Sequence, residues 1–496
     1  MSPPPAAAIV WDAWGAEPFA RAARERKPVL LSISARWCHA CHQMDATTWA
    51  DARVAALVGD RFVALRVDSD RRPDINERYN LGGWPTTAFL TPTGELLGGG
   101  TFVALDRIES ILMRVLAAFD PDACPPSSSS SSDHRGTVTG SSGAPPAPGA
   151  LTAAARTVGD RVLALFDEAH GGFGIEPKFP HTAPIRLALA RFGESGDPVA
   201  RRIAERTLDA MAEGALHDPV DGGFFRYAAA RDWQLPHLEK LLETNASLLG
   251  AFVEAERVFG DGAYLEVIGR TIRYLDDRLG DPAGGYSGSE EAAPEYYGAT
   301  ERTGRTRPEV DRTLFTDANG AAVSALLAAS SLLEDNDLAA RALRALERVV
   351  LAAYRPGDGV AHCADCARVV RGLLADQCAV VHAMLDAHDR TGDEPYLMMA
   401  EEIAHYVLRA LWDEAGGTVR DRVPRDDDVG LLAAPEHPFV TGCEAARAFA
   451  RLARVSDESA FRGRAESILL ALYPRVSAQG PLAAHYALAA RAVLAP

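Results

Sequence analysis

Short apolar runs alternate with amphipathic stretches along the first part of the chain. Residues 29–34 (Val-Leu-Leu-Ser-Ile-Ser) and 62–67 (Phe-Val-Ala-Leu-Arg-Val) are too short for helices and rich in aliphatic side chains, which predicts buried strands. Residues 86–90 and 95–99 read as two more strands, joined by the turn sequence Thr91-Pro92-Thr93-Gly94. Residues 18–26, 41–58 and 74–79 carry helical patterning between the strands, and 105–119 reads as a closing helix. This interleaving predicts an α/β sandwich around a small sheet.

From residue 151 the pattern is helical nearly throughout. Twelve helices are predicted, at 151–167, 182–193, 197–216, 237–258, 262–279, 315–333, 336–353, 370–390, 394–412, 439–454, 457–472 and 482–494. A weak repeat punctuates them: Asp167 before Gly171-Gly172, Asp218 before Gly222-Gly223, Asp281 before Gly284-Gly285, and Asp413 before Gly416-Gly417. Glycine pairs after helices permit left-handed turns that bring the next aromatic back to the core. Repeated hairpins predict six pairs closed into an (α/α)6 barrel, with an open solenoid as the alternative. The intervening Ser/Pro/Gly stretch, with unbroken serine at 127–132, cannot bury enough apolar surface to fold. The expected organisation is therefore multidomain, α/β plus all-α: 1–119, a linker at 120–150, and 151–496.

Of the 496 residues 47% are hydrophobic, so a folded chain is expected, and the length exceeds one ordinary core. The formal charge of −17, from 51 basic and 68 acidic residues, disfavours nucleic acid and anionic membrane as partners. No apolar run approaches the roughly 20 residues that span a bilayer, and residues 1–10 lack the basic start of a signal peptide. A cytoplasmic location follows as the expectation. Seven cysteines, an odd and sparse set, argue against a structural disulfide framework.

Trp37-Cys38-His39-Ala40-Cys41-His42 lies where a strand gives way to a helix. A sulfur on the first turn faces unpaired amides and the positive end of the helix dipole, which favours its thiolate. Cys38 is then the nucleophile, Cys41 the resolving thiol one turn on, and His39 a source of further positive charge. The same residues also match the C-x-x-C-H haem-attachment pattern, a metal pair with His39 or His42, or two inert thiols. The strand-to-helix context favours redox exchange, and no cofactor is expected.

Further along, Gly82-Gly83-Trp84-Pro85-Thr86-Thr87 precedes a strand and contains an X–Pro bond of the kind that adopts cis. The order of these features resembles the thioredoxin fold. That resemblance implies that Pro85 packs beside the disulfide and that Trp37, Trp84, Pro85 and Thr86 form the docking groove for a substrate peptide. It also implies a redox partner protein or a thioredoxin-reductase-type reductant. Thioredoxin has a buried aspartate six residues before its first cysteine, and this chain has Ser32 there.

A longer set of motifs is similar to the spermatogenesis-associated protein 20-like family. It comprises Val10-Trp11, Trp14-Gly15, the C-H-A-C-H run at 38–42, Arg72-Pro73-Asp74-Ile75, Gly82-Gly83-Trp84-Pro85 and Phe89-Leu90-Thr91-Pro92. Past the linker it continues with Gly171-Gly172-Phe173-Gly174, Pro177-Lys178-Phe179-Pro180, the G-G-F-F-R-Y run at 222–227 and the P-H-L-E-K-L run at 236–241. The resemblance implies a thioredoxin-like domain followed by a six-hairpin, glycosidase-like (α/α)6 domain. It departs at Asp317-Ala318-Asn319-Gly320, where longer members have Trp-Asn-Gly, and members are often longer than this chain.

An (α/α)6 barrel commonly takes its ligand in the funnel at its inner-helix ends. The residues expected there are Lys178, Asp218, Arg226, Trp233, His237, Glu239, Lys240, Asn245, Asp317 and Asn319. Aromatics beside carboxylates suit a sugar, with Glu239 and Asp317 as the acid/base pair. Structural ion pairs and helix caps are the competing account of the same residues. Cys363-Ala364-Asp365-Cys366, with Cys378 or His382, is a weak metal candidate against the plainer reading of two solvent-side thiols. Three functions are therefore carried forward: a thiol–disulfide oxidoreductase fused to a barrel for carbohydrate, a carbohydrate-active or sugar-binding protein with a structural thioredoxin-like module, and a redox-sensing scaffold.

Overall fold

The structure is a computed structural model and describes residues 8–120, 151–366, 369–425, 428–456, 458 and 460–495. The predicted linker beyond residue 120, with Cys124, lies outside the described residues.

Its N-terminal part runs α1 (Ala16–Glu25), β1 (Val29–Ser34), α2 (His39–Thr47), α3 (Ala52–Arg61), β2 (Val63–Asp68), α4 (Pro73–Tyr79), β3 (Thr86–Leu90), β4 (Leu96–Gly100) and α5 (Leu105–Ala118). The strands lie in the order β2-β1-β3-β4, with β1 parallel to β2 and antiparallel to β3. Alternation along β1 sends Val29, Leu31 and Ile33 into one core with Trp14, Phe19, Leu65 and Tyr79. Leu30 points the other way, into a second core with Met44, Val58, Phe89 and Leu112. Apolar cores on both faces of one small sheet give the thioredoxin-like fold.

One predicted helix is two. The 41–58 stretch breaks because the Asp51 carboxylate accepts from the Arg53 and Val54 N–H groups and starts α3 afresh. Just before it, at the end of α2, the Thr48 hydroxyl donates to the Val103 carbonyl at 2.9 Å.

The chain divides into two compact units, and the first takes in Pro424–Pro435 from late in the sequence. Leu432 joins the core of Trp14 and Tyr79. The Tyr79 hydroxyl donates to the Gly94 carbonyl at 2.7 Å and accepts from the Leu431 N–H at 2.9 Å. Sequence patterning assigned this segment to the helical domain, because nothing local marks a loop for a distant core.

The second unit contains α6 (Leu151–Leu163), α7 (Thr182–Ser195), α8 (Pro198–Glu213), α9 (Leu242–Phe259), α10 (Leu265–Tyr274) and the single turn α11 (Pro294–Tyr297). It continues with α12 (Thr316–Leu332), α13 (Asn336–Ala353), α14 (Leu374–Thr391), α15 (Glu394–Ala410), α16 (Phe439–Val455), α17 (Ala460–Leu472) and α18 (Ala483–Leu494). Helices α7, α9, α12, α14, α16 and α18 pack in that order, and α18 returns to α7, so the ring closes and is not an open solenoid. Each inner helix pairs with one outer helix, α8, α10, α13, α15, α17 and α6 respectively, which completes an (α/α)6 barrel. Outer α8 buries one stripe (Ala200, Ile203, Ala204, Thr207, Leu208, Met211), whereas inner α12 buries small residues round most of its circumference. Gly320 lets α12 approach α14 closely: a Cβ there would lie 2.8 Å from the Ala379 carbonyl oxygen.

The Asp/Gly-Gly repeat builds the turns between hairpins. Asp167 N–H donates to the Gly172 carbonyl at 2.9 Å, Asp218 N–H to Gly223 at 2.9 Å, and Asp281 N–H to Gly285 at 3.0 Å. A side-chain amide at the start of the next inner helix then pins the returning strand. Asn245 Oδ1 accepts from Phe224 N–H at 2.7 Å, Asn319 Oδ1 from Tyr286 N–H at 2.8 Å, and Gln377 Oε1 from Val360 N–H at 2.9 Å.

Candidate functional site

β1 delivers the chain to the cysteine pair, and α2 begins there. Cys38 is the N-cap of α2, with extended backbone, and its Sγ accepts from the Cys41 N–H at 3.1 Å. The two sulfurs are joined in a disulfide, and both residues are buried. His39 is the first residue of the helix and is exposed. Trp37 packs edge-on against Trp84 at 5.4 Å, and its indole N–H donates to Asp70 Oδ2 at 2.8 Å. The Trp84–Pro85 peptide is cis, and Pro85 and Thr86 are buried at the start of β3. Ser32 is buried on β1 opposite Thr87, so no carboxylate occupies that place.

The barrel residues named from sequence are mostly brought together as scaffold. Lys178 is buried on Asp167 at 2.6 Å, and Lys240 on Asp218 at 2.7 Å, where Arg302 also donates at 2.7 Å. Burial alone would raise the Asp167 carboxyl, but Arg231 and Lys178 outweigh it and hold the group well below the usual carboxylate range. Arg226 pairs with Glu239 at 2.9 Å, and His237 stacks on Tyr227 at 4.1 Å. Trp233 is buried with its indole N–H on the His170 carbonyl, and Asn245 and Asn319 serve the turns described above. Of the ten residues only Asp317 lines the barrel cavity, so the sequence-expected pairing of Glu239 with Asp317 across it is not formed. The motif residues cluster in loops, and there the barrel needs its ion pairs and turn pins.

The cavity itself holds about 840 Å³ and is walled by all six inner helices. Three groups on its wall are not among the residues expected there from sequence: Glu243, Glu444 and His485. Glu444 is shared. It receives His485 Nδ1 at 2.8 Å and Arg447 at 2.7 Å, with His382 Nε2 3.6 Å from its carboxylate. Burial opposes the Glu444 charge, yet Arg447 and His485 outweigh it and keep the carboxyl far below its ordinary range. Burial, reinforced by Arg447, pushes His382 down to about 4. Burial and the nearby Asp317 raise Glu243. No local signal marks these residues, because they come from different helices and meet only when the ring closes.

The second C-x-x-C is also a disulfide, Cys363–Cys366, and Cys363 is buried. Its sulfurs are committed to each other, which replaces both the metal candidate and the pair of solvent-side thiols. Both disulfides close loops of only three residues' separation, and Cys378 and Cys443 are buried free thiols. Next to this disulfide His362 Nδ1 meets Asp376 Oδ1 at 2.9 Å, and burial pushes the Asp376 carboxyl up to about 6 against the pull of His362. Among the described residues, no helix is long and apolar enough to cross a membrane.

Residues 5–120 match the family model Thioredox_DsbH, described as a protein of unknown function, DUF255. Spermatogenesis-associated protein 20 of Homo sapiens is 30% identical over 311 residues, which cover 57% of this chain and 39% of that protein. The chain thus spans well under half the length of this relative. Thioredoxin-1 of Drosophila melanogaster is 32% identical over 68 residues, 14% of this chain and 61% of that one. The solved cellobiose 2-epimerase from Spirochaeta thermophila superposes with a TM-score of 0.56 at 17% identity, covering 70% of this chain and 96% of its own, which supports the fold of the barrel. The chain is therefore similar over 57% of its length to the spermatogenesis-associated protein 20 proteins, and its first 120 residues carry a thioredoxin-like domain joined to a six-hairpin, glycosidase-like barrel.

Proposed function

We propose that the protein is a thiol–disulfide oxidoreductase acting through Cys38 and Cys41. The observation that carries this reading is the position of Cys38 Sγ at the N-cap of α2, accepting the Cys41 N–H. The same donor and the helix dipole stabilise a thiolate at that atom once the disulfide is reduced. Cys38 thiolate attacks one sulfur of a substrate disulfide and expels the other as a thiolate. Cys41 then attacks Cys38 in the mixed disulfide, releasing the second substrate thiol and leaving the Cys38–Cys41 bond. A dithiol reductant of the thioredoxin-reductase-linked kind restores the pair, in a reducing compartment such as the cytoplasm. His39 stands exposed on the first turn of α2 beside the pair, and Trp37, Trp84, Pro85 and Thr86 border the groove for the substrate chain.

Insulin reduction with dithiothreitol tests this on the full chain, because Pro424–Pro435 belongs to the same compact unit as the cysteines. Cys38→Ser is expected to remove the catalysed rate, and Cys41→Ser to accumulate a mixed disulfide. Equal rates for wild type and Cys38→Ser reject the assignment.

A second reading concerns the barrel and rests on its cavity of about 840 Å³, walled by carboxylates and histidines from the inner helices. That volume suits a small polyhydroxylated ligand. Glu243, Asp317, His382, Glu444 and His485 supply hydrogen-bonding and acid/base groups for a carbohydrate, and the thioredoxin-like part is then a second activity or a docking module. Redox-dependent scaffolding is the remaining proposal, with no observation favouring it over these two.

A further inference from the structure

We infer that Asp317, His362 and Asp376 form a binding site for one divalent first-row cation of the manganese or zinc class on the wall of the barrel cavity. Three separate elements supply the donors. Asp317 lies in the first turn of α12, Asp376 in the first turn of α14, and His362 in the segment between α13 and α14. His362 Nδ1 is 2.9 Å from Asp376 Oδ1 and 3.9 Å from Asp317 Oδ1, and one donor atom from each residue lies within 4.8 Å of the others. Ligands held at roughly 2.1 Å from one metal ion stand about 3–4 Å apart, so small side-chain rotations bring this set onto one cation.

A separate observation points to a missing partner. Asp376 is fully buried, and its Oδ2 has no hydrogen-bond partner although Oδ1 is bonded to His362. Buried carboxylate oxygens are rarely left so. Among the described residues no lysine or arginine forms an ion pair with Asp317 or Asp376; Asp317 Oδ1 takes only the neighbouring Ala318 N–H, at 2.7 Å, and the histidine. Two carboxylates and a neutral imidazole sum to the charge that a divalent ion balances. Two other buried aspartates of the barrel, by contrast, have cations: Asp167 has Lys178 and Arg231, and Asp218 has Lys240 and Arg302.

The donors are also held in place. His362 N–H donates to the Val370 carbonyl at 2.9 Å, its carbonyl accepts from Thr316 N–H at 2.9 Å, and the Cys363–Cys366 disulfide closes the turn after it. A fixed backbone is what a metal ligand requires. Imidazole with carboxylates suits manganese, iron or zinc, and three protein donors are too few for calcium. Asp317 lines the cavity, so the remaining coordination positions face it and take an oxygen ligand, such as a hydroxyl, carbonyl or carboxylate of a bound molecule.

The test uses Mn2+ alone on the EDTA-treated, oxidised full chain, followed by electron paramagnetic resonance; oxidation keeps both C-x-x-C pairs from competing. One Mn2+ per chain is expected, displaced by Zn2+. Asp317→Asn and His362→Gln are expected to weaken it by at least the ~10-fold that losing even an outer-sphere partner costs. Asp317 is partly exposed, so its amide variant keeps the fold, checked by circular dichroism. No uptake at millimolar Mn2+, or uptake unchanged in both variants, which means an adventitious ion only, overturns the inference. Insulin reduction at Cys38 is read independently, so the two proposals fail separately.

Discussion

His382 shows what a single residue owes to its surroundings. It sits on α14 with its ring 3.1 Å from the Glu444 carbonyl, and burial followed by the Arg447 charge pushes it down to about 4. The same imidazole in the unfolded chain titrates near the ordinary value of about 6.5. Between those values the unfolded chain binds a proton that the folded chain refuses. The contribution to stability is therefore complete above about 6.5 and is lost as the pH falls towards 4. Thermal unfolding of His382→Gln is expected to depend less steeply on pH across that window than wild type. Some slope remains, because burial and the Arg270 charge also push His217 down to about 4. An unchanged slope, or a ring resonance of His382 that shifts near pH 6.5, contradicts this. Sequence made Cys38 and Cys41 legible at this scale, because their chemistry depends on three-residue spacing at a strand–helix junction. It left Glu444 and His485 silent and offered His382 only as a partner for the Cys363 pair, because their chemistry depends on helices that are distant in sequence.

At the scale of elements, helices and strands were legible wherever a local pattern decides them. The four strands and the twelve long helices were expected close to their observed positions. The break between α2 and α3 was not, since a single Asp51 cap overrode continuous helical patterning. The Asp/Gly-Gly repeat was visible, but its partners were misjudged: Lys178, Lys240, Asn245 and Asn319 complete the turns instead of facing a ligand. A comparable contact joins the β3–β4 turn to Pro424–Pro435. Gly430 has φ +61°, and a Cβ there would lie 2.4 Å from both the Gly94 carbonyl oxygen and the Tyr79 hydroxyl. Gly430→Ala combines left-handed strain with a backbone clash and is expected to cost about 1–3 kcal/mol. Denaturant unfolding of the full chain measures it. A wild-type midpoint would mean that this segment does not stabilise the unit.

Ring closure governs the barrel as a whole. Contact between α18 and α7 turns twelve similar helices into a walled cavity instead of a strip. The carbohydrate reading is tested on the full chain by titration calorimetry with mono- and disaccharides. A binding sugar is expected to lose at least about tenfold in affinity, or ~1.4 kcal/mol, in Glu243→Gln. Absence of heat with every sugar removes the support for that reading. The cavity was expected from the fold, but nine of the ten residues proposed for it lie elsewhere.

The sequence by itself determined the local order: which stretches are strands, which are helices, where the turns fall, and that a cysteine pair crowns a helix after an apolar strand. Those features depend on side-chain periodicity and spacing over a few residues. Only the tertiary structure decided which residues face the cavity, that Asp376 and His362 meet beside Asp317, and that Pro424–Pro435 packs with a core laid down some 350 residues earlier. Each of these depends on how far the chain has turned in space by the time the second partner arrives, and no local pattern records that.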